Sequence, residues 1–187
     1  MSTFESEYEH DGPIARQIAA VIPYYPFHGV DRFYDISGMT HNPDVFQLCI
    51  DVFVRRYANM NIDAVAGLDA RGFVLGPPIA LALKKPFIMV RKQGKLPNAV
   101  SGREYHKEYV GDNASGGDEL CVSRTAITPG ARVLVIDDLV ATGVRCEQLL
   151  SVTDRPTDYA MTTHRIHCVI KQYREPCYRS GVRAWWS

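Results

Sequence analysis

Twelve residues, Arg132 to Gly143, constrain what this chain can fold into more than any other stretch. They read Arg-Val-Leu-Val-Ile-Asp-Asp-Leu-Val-Ala-Thr-Gly. Val133 to Ile136 form an unbroken apolar run of strand length, as expected for a strand buried on both faces. Asp137 and Asp138 stand where that strand ends. The short turn Ala141-Thr142-Gly143 follows, and Cys146 to Leu150 read as the start of a helix. Strand, acidic pair, small-residue turn and helix together suit a sugar phosphate. Backbone N–H groups of the turn and of the helix N-terminus hold the phosphate, and carboxylates at the strand end hold ribose hydroxyls, directly or through a hydrated metal.

An apolar strand ending in Asp-Asp is also the ordinary start of a capped helix in many α/β proteins. That alternative stays open on this stretch alone. The full string narrows it, because four features coincide: apolar residues, two acids, apolar residues, then Ala-Thr-Gly. In this it resembles the phosphoribosyl diphosphate signature of the type I phosphoribosyltransferases.

A chain of 187 residues suits a single domain over 1–187 and buries roughly 70% of its unfolded surface. Lys plus Arg and Asp plus Glu number 21 each, so no global basic field argues for nucleic acid. Cys49, Cys121, Cys146, Cys168 and Cys177 are odd in number and lack C-x-x-C spacing. Neither a zinc site nor a disulfide framework is indicated. The N-terminus is acidic and no stretch approaches transmembrane length, so the expectation is a cytoplasmic protein with reduced thiols and no membrane contact.

From the N-terminus, Met1 to His10 are polar and expected to be poorly ordered. Gly12-Pro13 opens a helix carrying Ile14, Ile18, Val21 and Ile22, which Pro23 ends. Tyr24 to Ser37 is an aromatic, loop-like segment. Asn42-Pro43 caps a longer amphipathic helix through Val45, Phe46, Cys49, Val52 and Phe53. Ala64 to Gly67 is a short strand, and Leu68-Asp69-Ala70-Arg71-Gly72-Phe73 turns from it into a helix over 74–83. An acid and an arginine at a strand-to-helix turn fit an anion site, or else an exposed loop with a surface ion pair of little energetic worth.

Pro86 to Val90 form a second buried strand, which delivers Arg91-Lys92-Gln93-Gly94-Lys95. A basic run is usually a solvated face, but this one leaves the carboxyl end of a strand, where α/β proteins bind ligands. Leu96 to Cys121 make a long polar excursion, of the length that marks functional lids or disorder. Glu119 to Thr125 is the returning strand. Alternating strands and helices predict a parallel, doubly wound α/β sheet.

Over residues 22–143 the chain resembles the adenine phosphoribosyltransferases. Four blocks carry the likeness in order: Gly29-Val30 through Phe33-Tyr34-Asp35-Ile36-Ser37; Ala66-Gly67-Leu68-Asp69-Ala70-Arg71-Gly72-Phe73; Val90-Arg91-Lys92-Gln93-Gly94-Lys95-Leu96-Pro97; and the signature at 132–143. The resemblance implies a type I phosphoribosyltransferase sheet with a small N-terminal hood and a long flexible lid loop. It implies purine salvage by transfer of phosphoribosyl from 5-phosphoribosyl-1-diphosphate to adenine, giving AMP and diphosphate, by a homodimer using Mg2+. The ion reaches the protein through substrate and water near Asp137 and Asp138, with no direct ligand.

The same resemblance assigns roles. Arg71, Arg91, Lys92 and Lys95, with Asp137, Asp138, Ala141, Thr142 and Gly143, bind the donor. Glu108 and Tyr109 in the lid are the catalytic pair, with the glutamate handling the purine proton. Adenine meets backbone near Arg32 and stacks between Phe33 and Leu139. Two features depart from the pattern. Val144-Arg145 replace the usual Gly-Thr after Ala-Thr-Gly, and residues 151–187 show no convincing apolar strand. They favour one alternative, a noncatalytic regulator built on this fold; within the enzyme class the alternative is a transferase for another purine.

Overall fold

Five consecutive buried residues, Ala64–Leu68, form the spine of the molecule. The computed structural model describes residues 12–27, 30–101, 119–128 and 131–138, and the backbone of 167–168 and 183–184. In chain order its elements are α1 (Pro13–Ala19), β1 (Tyr24–Phe27), β2 (Val30–Tyr34), α2 (Ser37–Thr40), α3 (Pro43–Tyr57), β3 (Ala64–Leu68), α4 (Gly72–Leu83), β4 (Phe87–Lys92), β5 (Ala99–Ser101), β6 (Leu120–Ser123), β7 (Val133–Ile136), β8 (His167–Cys168) and β9 (Arg183–Ala184).

Seven strands form one sheet in the order β5-β6-β4-β3-β7-β8-β9. β3 lies between β4 and β7 and pairs with both in parallel, with Val65 opposite Phe87 on one side and Leu134 on the other. β8 and β9 continue the parallel set. β6 alone runs against its neighbours β4 and β5. The expected parallel α/β sheet is therefore present, with one antiparallel strand near an edge.

Alternation along the strands splits the core in two. Val65, Leu134 and Ile136 face the helices and pack with Ile18, Met39, Ile50, Phe53, Leu75 and Ile79. Ala64, Ala66, Leu68, Ile88, Val90, Val133 and Val135 face the other way, where Ala126, Ile127 and Ala131 pack against them. A strand covered on both sides has no polar face, which is why these segments read as continuous apolar runs.

Helix α3 follows from local chemistry. The Asn42 side chain accepts a hydrogen bond from the Val45 N–H at 3.2 Å, Pro43 fills the first helical position, and Arg55 and Arg56 occupy the last turn. In α4, Pro77 and Pro78 lie inside the helix, where each removes one backbone donor.

Three segments differ from the sequence expectation. The aromatic stretch after Pro23 is an antiparallel hairpin, with Tyr24 opposite Tyr34 and Tyr25 opposite Phe33, where a loop is expected. A strand, β5, forms within the polar excursion at 99–101 and pairs with β6. Beyond residue 151 the backbone contributes two strands of two residues each, β8 and β9, to the sheet.

Candidate active site

Because β3, β4 and β7 are parallel, their carboxyl ends lie along one edge of the sheet, the edge at which α/β folds bind ligands. Each end delivers charge. β3 runs into the turn Asp69-Ala70-Arg71, β4 ends in Arg91-Lys92, and β7 is followed by Asp137 and Asp138. Both aspartates are buried, at 3% and 4% exposure. The Asp137 carboxylate accepts a hydrogen bond from the Asp138 N–H at 2.9 Å. Buried carboxylates need partners.

Asp138 has one in Arg71, whose Nη1 lies 2.8 Å from its Oδ2. Two glycines make this reach possible. A Cβ on Gly72 would run into the carbonyl oxygen of Ile136, and one on Gly67 into the carbonyl oxygen of Gly72. Only without side chains do the start of α4, the end of β3 and the end of β7 approach this closely. The Asp69–Ala70 peptide bond in the turn between them is cis.

Asp69 pairs away from its sequence neighbour Arg71. Its Oδ2 lies 3.1 Å from Nε of Arg91, and Nη1 of Arg91 donates to the Lys95 carbonyl at 3.3 Å. The Arg91 guanidinium also sits 5.9 Å from the Phe73 ring. The basic turn closes through the Lys95 N–H to the Lys92 carbonyl, at 3.1 Å, with Gly94 at φ +80°, a conformation that favours glycine. The Gln93 N–H donates to Glu119 at 2.8 Å, which ties this turn to the chain entering β6.

The hairpin meets the cluster at Phe33. The Arg71 guanidinium carbon lies 4.8 Å over the Phe33 ring. Arg32, next along the strand, turns to the other side and lies 5.2 Å over Tyr24. Behind the hairpin, the Asp35 carboxylate accepts from the Ser37 hydroxyl at 2.6 Å and from the Ser37 N–H at 3.0 Å. These bonds hold its carboxyl below the usual range, and the nearby positive charge of Arg71 adds to the effect.

Of the residues expected at a site, Phe33, Arg71 and Asp138 come together, and Asp137 adjoins them. Arg91, Lys92 and Lys95 lie on the neighbouring strand end and its turn. Glu108, Tyr109, Leu139, Ala141, Thr142 and Gly143 lie outside the described residues, as do Val144 and Arg145. Asp69, read in the sequence as the acid of an anion-binding turn but given no ligand role, joins the site through Arg91. The arrangement can neutralise an anion beside a pair of oxygen acceptors, under an aromatic ring.

A family model for the phosphoribosyl transferase domain matches residues 36–156. Adenine phosphoribosyltransferase 2 of Arabidopsis thaliana is 44% identical over 135 residues, covering 72% of this chain and 67% of the relative. Adenine phosphoribosyltransferase of Histophilus somni strain 2336 is 42% identical over 134 residues, covering 72% and 71%. Among solved structures, adenine phosphoribosyl transferase from Trypanosoma brucei in complex with AMP, pyrophosphate and ribose-5-phosphate superposes with a TM-score of 0.72. It is 31% identical and covers 86% of this chain and 68% of that one. Strand-end cations, a buried acidic pair and these likenesses converge: the chain belongs to the phosphoribosyl transferase domain family, among its adenine phosphoribosyltransferases.

Proposed function

We propose that the protein transfers the phosphoribosyl group of 5-phosphoribosyl-1-diphosphate to adenine, giving AMP and diphosphate. The observation that carries this reading is the meeting of Arg71, from the β3 turn, with buried Asp138 at the end of β7, in a chain 44% identical to an adenine phosphoribosyltransferase. The ligands named for the Trypanosoma brucei structure, AMP, pyrophosphate and ribose-5-phosphate, are a product set of this reaction and a fragment of its sugar.

The chemistry asks for what these residues supply. The sugar C1–O bond breaks with its electron pair leaving on diphosphate, N9 of adenine bonds to C1, and the N9 proton is released. Arg71, Arg91, Lys92 and Lys95 stabilise the charge that grows on the leaving group. Asp137 and Asp138 accept the ribose hydroxyls, in charge-assisted bonds. Ala141, Thr142 and Gly143, as the resemblance implies, hold the 5′-phosphate on their N–H groups. Phe33 and Leu139 sandwich the base beside backbone near Arg32. Glu108 handles the purine proton, with Tyr109 beside it, and the segment carrying them excludes water from the cationic sugar.

Magnesium fits the residues present. A hard cation takes oxygen ligands, and magnesium is usually held by one or two carboxylates together with substrate phosphates. Asp137 and Asp138 offer buried carboxylates, and among the described residues no cluster of three or more ligating side chains forms a cage. Asp137 and Asp138 are the residues that would hold the ion beside the substrate. When bound there it adds positive charge to the diphosphate.

The proposed working form is a cytoplasmic homodimer. Val74 and Leu81, seven residues apart on one face of α4, and Met89 on β4 are large apolar side chains exposed at 42%, 79% and 48%; together they suit a partner surface. Cys49 and Cys121 are buried free thiols, as suits a reducing compartment. Among the described residues no helix is long and apolar enough to cross a membrane.

Product formation from adenine, hypoxanthine and guanine, each with the diphosphate sugar and magnesium, tests the reading. AMP formation with adenine preferred supports it. Turnover confined to another base moves the substrate assignment, and donor binding without turnover on any base leaves the noncatalytic alternative. Light scattering on the purified protein gives the oligomeric state, and Leu81→Lys is expected to shift a dimer toward monomer.

A further inference from the structure

Arg71 holds two partners at once. Its Nη1 donates to Asp138 Oδ2 at 2.8 Å, and its guanidinium carbon stands 4.8 Å over the Phe33 ring. The covered face of Phe33 is therefore the face turned toward the acidic pair. If the reading above holds, the ribose sits at Asp137 and Asp138, and the base attached to its C1 must lie between those carboxylates and the ring. That space is where the guanidinium stands. A purine stacked on this face and an arginine on the same face exclude each other.

We propose that Arg71 is a latch that closes the base site while the donor site is empty, and that diphosphate opens it. Without diphosphate, Arg71 pairs with the buried Asp138 carboxylate and lies over the aromatic face. A diphosphate group carries more charge than one carboxylate and presents several acceptor oxygens, so it competes for the guanidinium. Moving Arg71 to diphosphate frees the Asp138 oxygen for a ribose hydroxyl and clears the Phe33 face for the base. The neighbouring guanidinium, Arg91, does not fill the gap, because Asp69 and the Lys95 carbonyl hold it at the end of β4. One side chain thus links the diphosphate and base sites. By linkage the coupling is reciprocal: each ligand tightens the other by the same factor.

The proposal rests on the transferase reading, and calorimetry separates the two. Adenine is titrated into the intact protein with and without saturating magnesium diphosphate, and diphosphate is titrated with and without adenine. Diphosphate is expected to tighten adenine by at least about fivefold, the lower end of ordinary coupling between sites. In Arg71→Ala, adenine alone is expected to bind more tightly than in wild type, and the response to diphosphate is expected to vanish. If both ligands bind wild type and neither alters the other's affinity, the latch is wrong while the transferase reading stands. Unchanged or weakened adenine affinity in a folded Arg71→Ala protein also overturns it. Failure of wild type to bind either ligand removes the transferase reading, and the latch with it. The wild-type titrations decide the matter by themselves if the variant does not fold.

Discussion

Gly72 is where packing and chemistry depend on one missing methyl group. In Gly72→Ala the new Cβ meets the carbonyl oxygen of Ile136 and lies 3.0 and 3.1 Å from the carbonyl carbon and Cα of Gly67. All three atoms are backbone, in neighbouring strands hydrogen-bonded in register at Gly67 and Ile136, so no side chain can swing aside. The start of α4 must lift from the sheet. Overpacking of this kind costs about 1–3 kcal/mol, and alanine returns up to about 1 kcal/mol through helix propensity. A net loss of about 1–2 kcal/mol lowers Tm by about 2–8 °C at this chain length. The effect on activity is larger, because Arg71 is the residue before Gly72, and lifting the start of α4 carries its guanidinium away from the diphosphate it is proposed to meet. A displacement of about 1 Å in a site costs on the order of 100-fold, so kcat/KM for AMP formation is expected to fall by about that factor. Gly76→Ala is the control. The three atoms nearest its Cβ all belong to the Phe87 ring, a side chain that can tilt, so stability suffers while kcat/KM stays within a few-fold. Full kcat/KM in Gly72→Ala, or equal losses in both variants, refutes the view that the close approach at Gly72 places Arg71.

The double variant Asp137→Asn with Asp138→Asn is expected to raise KM for the diphosphate sugar and lower kcat, each lost charge-assisted bond costing about 1.5–3 kcal/mol; normal steady-state kinetics would place the ribose elsewhere. Glu108→Gln is expected to lower the single-turnover rate by roughly 10²- to 10⁴-fold with substrate affinities kept, whereas equal losses in rate and binding would mark a positioning role. Burial lifts the Cys49 thiol from 9.0 to about 12. The folded protein therefore keeps a proton that the unfolded chain releases, and this stability is full below pH 9 and lost as pH rises toward 12. Urea melts across that window are expected to show wild type losing up to about 1.4 kcal/mol per pH unit more than Cys49→Ala; parallel slopes would contradict the assignment.

The elements legible in the sequence are those whose cause is local. α3 announces itself by Asn42 accepting from Val45, Pro43 behind it and an apolar period through Phe53. β3 and β7 are unbroken apolar runs because both of their faces are covered. The hairpin β1–β2 gives no such sign. All four β1 residues are exposed and Pro26 interrupts them, so no inward face exists to produce alternation. β8 and β9 are too short at two residues each for any period, and His167 and Arg183 do not read as strand core.

The site divides along the same line. That cations and acids follow apolar strands is written in the sequence, and a parallel sheet then puts them on one edge. Which cation meets which acid is not written. Asp69 and Arg71 are two residues apart and look like a local pair, yet Arg71 crosses to Asp138, 67 residues on, and Asp69 crosses to Arg91, 22 residues on. The crossing has a physical source in the order of the strands. β3 lies between β4 and β7, so a turn leaving β3 has an acid donated by one neighbour and a base by the other, each nearer in space than its own chain neighbour. Each charge of the β3 turn is thereby tied to a different strand end. Those two ties join three strand ends that share no loop among the described residues, and both ties run through groups proposed to meet the diphosphate or to hold them in place. An anion drawn to Arg71 therefore acts on the β7 end at Asp138 and on the hairpin at Phe33 in the same movement.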